Sequence, residues 1–358
     1  MLTRLRIRNF KAWQDTKDIR LAPITVFFGS NSSGKSSLLQ FLLMLRQTAE
    51  SPDRRRVLHP GDKNTLVELG TYKDLVFNHN LTQEISFDLE WALPANLFIR
   101  DPLSRDRFWG RALAFAARVA SDEDGSHQHV QSLRYELKNG RRPLHVEMTS
   151  REEREPKRKY SLAAAPYTLR RSRGRAWSLP PPVRFYGFPE EVVAYYQNAG
   201  FTSRLALALE QQLKRVQYLG PLRIHPERSY IWSGEVPEHV GWRGERAVEA
   251  MLAAGNRSIS AGYKKRAHPF HAVVAQWLKE MGLLETFQVQ PIAAHRKEYE
   301  VVVRSPGTDQ AVNLPDVGFG VSQVLPVVVQ CFYAAPHATV LLEQPEIHLH
   351  PRVQTLLA

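Results

Sequence analysis

The 358-residue chain has a single cysteine, Cys331, and no apolar run of the ~18–20 residues that a bilayer-spanning helix needs. One thiol excludes an internal disulfide and any Cys-x-x-Cys metal motif, and it fits a reducing cytosol. Cys331 lies in the run VLPVVVQCFYAA, which predicts a buried, inert thiol. The N-terminal MLTRLRIRNF alternates charge with apolar residues and lacks the continuous apolar stretch of a signal peptide. No His-Glu-x-x-His and no Gly-x-Ser-x-Gly occurs, so neither a zincin site nor a nucleophile elbow is readable. His348 and His350 stand near Glu346, but packed turn histidines are the commoner meaning of such a pair than metal ligands. Acidic charge is also short: 36 Asp/Glu face 48 Lys/Arg, a net charge of +12. That balance favours polyanions, with nucleic acid ahead of membrane because no amphipathic anchor is evident.

What is present is a core. A hydrophobic share of 43% and an aromatic share of 10% belong to a globular chain. The basic charge is concentrated from Arg141 to Arg175, where eleven Lys/Arg meet four Glu. Such runs are more often solvated surface, and REEREPKRKY mixes signs as an exposed hairpin tip does. The segment is still the first place to seek contact with DNA, RNA or an acidic protein.

Near the start, LTRLRIRNF alternates in part and predicts an edge-type strand with one wet, basic face. ITVFF (24–28) is apolar without alternation, as in a strand covered on both sides. Directly after it comes GSNSSGKSS, residues Gly29, Ser30, Asn31, Ser32, Ser33, Gly34, Lys35, Ser36 and Ser37. Gly29, Gly34, Lys35 and Ser36 fill the pattern G-x-x-x-x-G-K-[ST]. Its glycines let backbone N–H groups close around phosphate oxygens, and the helix that follows aims its positive end at them. Lys35 would reach the β/γ-phosphates of ATP and Ser36 would ligate Mg2+. LLQFLLML then predicts a helix with a broad apolar face.

Residues 65–91 read as strands, with Ile85, Phe87, Leu89 and Trp91 alternating. From about 95 to 187 the pattern is a strand-rich, basic insertion, broken by LPPP at 179–182. Helices are expected within 188–215, over 247–255 ending at Gly255, and over 271–283 ending near Gly282. TFQVQPI and EYEVVVRS read as a strand pair.

Toward the end, Gly318, Gly320, Ser322 and Gln323 form a glycine turn opening an apolar helix, itself an anion site in principle. ATVLL is a strand closed by Glu343, a carboxylate able to hold Mg2+ through water. A second anion turn beside a carboxylate strand suggests capping of the γ-phosphate from outside.

Taken together, IRNFKAW, FFGSNSSGKSSLLQ, YLGPLR (218–223), VGWRGE (240–245), VGFGVSQVLPV and LLEQPEIHLHP resemble the ABC-type ATPase heads of the RecF, SMC and overcoming-lysogenization-defect class. More narrowly they resemble stand-alone bacterial ATPases of anti-phage defence systems of the Septu type. The resemblance implies an α/β P-loop NTPase: an ABC-type head with a mixed central sheet flanked by helices, carrying the strand-rich insertion and a helical lobe. It divides the chain into an N-terminal ATPase lobe (1–94), the insertion (95–187), a helical lobe (188–285) and a part with signature turn and Walker B strand (286–358). The chain stops at Ala358, where further strands of such a head are expected.

The resemblance makes Gly29–Ser36 the Walker A loop, Glu343 the Walker B carboxylate, and Gly318, Gly320, Ser322 and Gln323 the signature turn. In such heads that turn serves the nucleotide of a partner subunit, which implies a homodimer or higher homo-oligomer clamping two ATP molecules. Gln83 is the candidate for a magnesium-contacting Gln, and Phe10, Lys11 or Trp13 for the border of the adenine. Gln344 stands where many such ATPases carry a catalytic Glu, and a Gln takes no proton. It can orient water, however, and Glu346, two residues on, would share its direction if the chain stayed extended through Pro345, which makes Glu346 the expected base. Two readings therefore stand. One is a slow cytoplasmic ATPase whose dimerisation controls a nucleic-acid-processing or effector complex in antiviral defence. The other is a scaffold that holds ATP without turnover and restrains a partner nuclease.

Overall fold

Leu2, Leu5, Ile7 and Phe10 point one way from the first strand, into the core, while Arg4, Arg6 and Arg8 point the other. A computed structural model of the chain describes residues 1–139, 142–151, 159–174, 178–255, 257–260 and 266–357. It divides into two units, Met1–Val216 and Gln217–Ala358.

The first unit contains β1 (Leu2–Phe10), β2 (Trp13–Asp15), β3 (Ile19–Arg20), α1 (Lys35–Glu50), α2 (Tyr72–Leu75), β4 (Ile85–Arg100), β5 (Arg107–Ser121), β6 (Gln128–Lys138), β7 (Leu144–Arg151), β8 (Lys159–Ala165), α3 (Glu191–Tyr195) and α4 (Phe201–Lys214). Its strands form one sheet in the order β2-β1-β4-β5-β6-β7-β8, with β3 also on β1. All its ladders are antiparallel. β1 is therefore not an edge, because β4 flanks it on one side and β2 and β3 on the other. Its basic face is neutralised: Arg4 pairs with Asp18, Arg6 with Asp15 and Arg8 with Asp88.

The core of this unit is aromatic. Phe41 of α1 packs edge-on against Phe10 of β1 and Phe87 of β4, with ring centres 5.1 and 5.0 Å apart. Phe87 in turn meets Phe115 of β5 and Phe185. Burial of these rings, each worth some 2–3 kcal/mol, docks α1 on the middle of the sheet. The boundary expected at residue 94 falls inside β4, and the expected insertion strands β5–β8 continue the same sheet as β1.

Three expectations change here. Residues 65–84 are not strands; they form loops, the short α2 and a 3-10 turn (Phe77–His79) before β4. The run Ile24–Phe28 is not a covered strand: among the described residues it joins no ladder, and Ile24, Val26 and Phe28 are 79%, 61% and 90% exposed. Apolar composition predicts burial, but a strand exists only where a neighbouring edge accepts its hydrogen bonds. The mixed central sheet is likewise absent among the described residues, and the large sheet is antiparallel throughout. The basic run Arg141–Arg175 begins and ends outside the described residues.

The second unit contains β9 (Val216–Leu219) apart from its first residue, β10 (Tyr230–Ile231), α5 (Ala247–Ala254), β11 (Ser258–Ser260), β12 (Ala267–Pro269), α6 (Phe270–Glu280), β13 (Thr286–Pro291), β14 (Glu298–Arg304), β15 (Val312–Asn313), α7 (Phe319–Tyr333), β16 (Thr339–Leu342) and α8 (Pro351–Leu357). α5 and α6 pack on α7 through Val248, Met251, Phe270, Val274, Val324 and Val328, all buried. The expected pair β13–β14 forms antiparallel, and β9 joins β16. α5 ends at Gly255 (φ 44°) and the turn after α6 uses Gly282 (φ 70°), both as the glycine stops predicted. Cys331 departs from expectation: it sits on the exposed side of α7, the helix burying the valines beside it instead.

Candidate nucleotide site

In the first unit, Gly34 caps α1 in the left-handed region (φ 89°, ψ 9°), which only glycine adopts freely. A Cβ there would also lie 2.8 Å from Trp13 Nε1. That indole donates to the Gly34 carbonyl at 3.0 Å, so β2 supports the loop from beside it. The Lys35 ammonium donates to the Gly29 and Ser30 carbonyls at 2.7 and 2.6 Å, and thereby shapes the loop around the head of α1. Ser30, Asn31, Ser32 and Ser33 are exposed, with Ser32 also left-handed (φ 61°). Ser36 is exposed and Ser37 half-buried in the first turn. Close backbone, a cation and a helix N-terminus on one small loop fit a bound polyphosphate.

Of the three residues expected near an adenine, only Trp13 touches the loop. Phe10 is a core residue, fully buried against Phe41, because its place on the inner face of β1 outweighs its closeness in sequence. Lys11 donates its backbone N–H to Leu75, and burial pulls its ammonium below the usual lysine range. Gln83 is exposed in the turn before β4, its N–H donating to Asn80.

In the second unit, Glu343 follows β16, and its N–H donates to the Leu219 carbonyl at 3.0 Å. The Tyr218 hydroxyl donates to Glu343 Oε2 at 2.8 Å. Burial, and then the Glu343 carboxylate, raise the Tyr218 phenol above its ordinary range, so it stays a donor. Arg223 Nη2 donates to the carbonyls of both Glu343 and Gln344 at 3.2 Å. Arg223 is only 5% exposed, and its Nε and Nη1 find no partner among the described residues. Burial lowers its pKa, and the nearby Glu346 carboxylate opposes that shift.

Gln344 is left-handed (φ 45°), and the Ile347 N–H donates to its carbonyl at 3.2 Å. The chain therefore turns at Pro345 and does not stay extended. The premise for placing Glu346 and Gln344 side by side fails, because period-two alternation holds only along a strand. The Glu343 carboxylate is a hard oxygen donor of the kind that suits Mg2+.

The turn expected to be the signature turn lies in the same unit. Gly318 caps α7, and Ser322 is buried with its Oγ donating to the Phe319 carbonyl at 2.7 Å. Gln323 is 2% exposed, and its Nε2 finds no partner among the described residues. The Phe319 ring sits between His225 and His348, with centroids 5.1 and 5.0 Å away, and a Cβ on Gly320 would lie 3.3 Å from the His348 carbonyl. The turn at α7 thus packs on the turn after Glu343. His348 is an aromatic packing partner, and no group of three His, Cys, Asp or Glu suited to a metal occurs among the described residues.

Sequence reasoning assigned no role to Tyr218 or Arg223. Their segment, YLGPLR, stood out as a motif, but its link to Glu343 spans over a hundred residues. An arginine two places after a Gly-Pro pair and next to an apolar strand was the available signal.

A glycine loop at the head of α1 and an acid-ended strand define a P-loop ATPase domain of the AAA/ABC-like kind. The family model "AAA domain, putative AbiEii toxin, Type IV TA system" matches residues 24–358, and the chain belongs to that family. No curated protein matches it. No helix among the described residues is long and apolar enough to cross a membrane.

Proposed function

We propose that the chain binds ATP with Mg2+ and hydrolyses it slowly. The observation that carries this is the Gly29–Ser37 loop, with left-handed Gly34 and the Lys35 ammonium gathered at the N-terminus of α1. Bound there, the nucleotide supplies the scissile phosphoanhydride, and Mg2+ neutralises its charge. Loop N–H groups and Lys35 would hold the phosphates, Ser36 would offer its hydroxyl to the metal, and Gln83 remains a candidate for the same task; the Glu343 carboxylate is the acid expected to hold Mg2+ through water. Gln344 orients water but removes no proton, and Glu346 lies beyond the turn, which favours slow turnover.

The exposed Gly318 end of α7 supports the reading that the signature turn serves a second copy, so that ATP drives dimerisation. Membership in a family described by a toxin–antitoxin system supports a role in conflict with phage, acting on an effector such as a nuclease. The alternative, a scaffold that retains ATP, is favoured by the same Gln344.

Turnover and retention are separated by one assay on purified protein. Multiple phosphates released per chain, lost in Lys35→Ala, are expected. One ATP retained per chain without release establishes the scaffold, and no ATP bound at all dismisses both. Gln344→Glu, which supplies a base, is expected to raise turnover about tenfold or more.

A further inference from the structure

At one end of the large sheet, β4 and β5 resume pairing after an irregularity between Ala92 and Leu97. Here Phe98 stands directly opposite Trp109, and Arg100 directly opposite Arg107. Directly opposed residues share a face. Ile99 and Phe108, between them, are buried, and Phe108 packs on Tyr167. Phe98, Trp109, Arg100 and Arg107 therefore face solvent together, joined by Arg111 one step along β5. Phe98 is 58% and Trp109 44% exposed.

This end of the sheet combines two local conflicts. Several other cations of the sheet meet acids: Arg4 with Asp18, Arg6 with Asp15, Arg8 with Asp88, Arg118 with Glu84, Lys138 with Glu90. Arg100, Arg107 and Arg111 make no ion pair among the described residues, and two of them repel across one rung. Like charges directly opposed destabilise a sheet, and two large rings left in water forgo burial. Local conflicts of this kind collect where a surface is kept for a ligand.

We propose that Phe98 and Trp109, framed by Arg100, Arg107 and Arg111, bind single-stranded nucleic acid. Exposed bases stack on the aromatic pair, and the guanidinium groups hold the flanking phosphates. Two adjacent rings among unpaired cations match a chain of alternating π-faces and negative charges. A duplex offers the charges but hides the faces. The net charge of +12 supplies long-range attraction but no site of its own.

The test uses the full chain and a fluorescein-labelled 20-mer of oligo(dT) or oligo(U), a duplex of equal length, and phosphatidylserine vesicles. Variants Phe98→Ala/Trp109→Ala and Arg100→Gln/Arg107→Gln change exposed side chains, and unchanged melting temperatures verify their folding. The aromatic variant is expected to bind the single strands about tenfold or more weakly. The arginine variant is expected to flatten the log K versus log salt slope by roughly 1.4, about 0.7 for each lost phosphate contact. Unchanged affinity and slope in both folded variants overturn the proposal. So does equal loss of duplex and single-strand binding in the aromatic variant, or binding to vesicles alone.

Discussion

Arg223 Nη2 lies 3.2 Å from the carbonyl oxygens of both Glu343 and Gln344, so one guanidinium nitrogen holds both sides of the corner that ends β16. Backbone direction at that corner sets where the Glu343 carboxylate and the Gln344 amide point. Arg223 is thus a positioning residue, supplying charged hydrogen bonds from a buried site.

Replacing Arg223 with Met removes those bonds, each worth about 1.5–3 kcal/mol, and frees Gln344 from its left-handed conformation. ATP turnover is expected to fall about ten- to a hundredfold while KM for ATP stays nearly constant. Arg223→Lys, which keeps one donor, should recover part of the rate. A rise in KM with unchanged kcat would place Arg223 in nucleotide binding instead.

Tyr218→Phe deletes the hydroxyl that orients Glu343 Oε2 at 2.8 Å. Outer partners of a metal-binding carboxylate typically contribute 10–100-fold in metal affinity. The apparent Mg2+ requirement for ATP binding should rise by about that factor, read by titrating Mg2+ against nucleotide fluorescence. ATP binding without Mg2+ should not change. An unaltered Mg2+ midpoint would remove Tyr218 from the metal's surroundings.

Gly34→Ala places a methyl group 2.8 Å from Trp13 Nε1 and imposes about 1–2 kcal/mol of left-handed strain on a residue at φ 89°. Weaker ATP binding, by about tenfold or more, is expected with a modest loss of melting temperature. Calorimetric titration checks the first and thermal unfolding the second; wild-type affinity would show that the loop tolerates rearrangement.

The Arg6 hydrogen bond, helped by Lys17, holds the Asp15 carboxyl well below the usual carboxylate range. The folded value lies under the unfolded one of about 3.9. The pair therefore stabilises fully above roughly pH 4, and the gain is lost as pH falls further. Asp15→Asn should lower the urea midpoint at pH 7, and the gap to wild type should narrow steadily as pH falls from about 4 toward about 2. Parallel curves across that range would mean that Asp15 contributes nothing.

Local chemistry was legible in the sequence. The loop at Gly29–Ser37, the helix starting at Lys35, the alternation of Ile85–Trp91 and the glycine stops at Gly255 and Gly282 depend on neighbours a few residues apart. Partners far along the chain were not legible. Ile24–Phe28 has the composition of a buried strand, yet composition names no edge for it to join. β5–β8 looked like a separate insertion because their pairing with β1 through β4 is a property of the sheet. Tyr218 and Arg223 were visible as a motif, but only the fold sets them against Glu343. Pro345 was ambiguous until the left-handed Gln344 before it resolved the turn.

The bond from the Trp13 indole to the Gly34 carbonyl wires a chromophore to the phosphate loop. Any movement of that carbonyl alters the polarity felt by the ring, and so its emission wavelength. Subtracting the spectrum of a Trp13→Phe protein isolates this one of the seven tryptophans. The loop carries its own optical gauge, and occupancy can be followed in real time with unlabelled nucleotide.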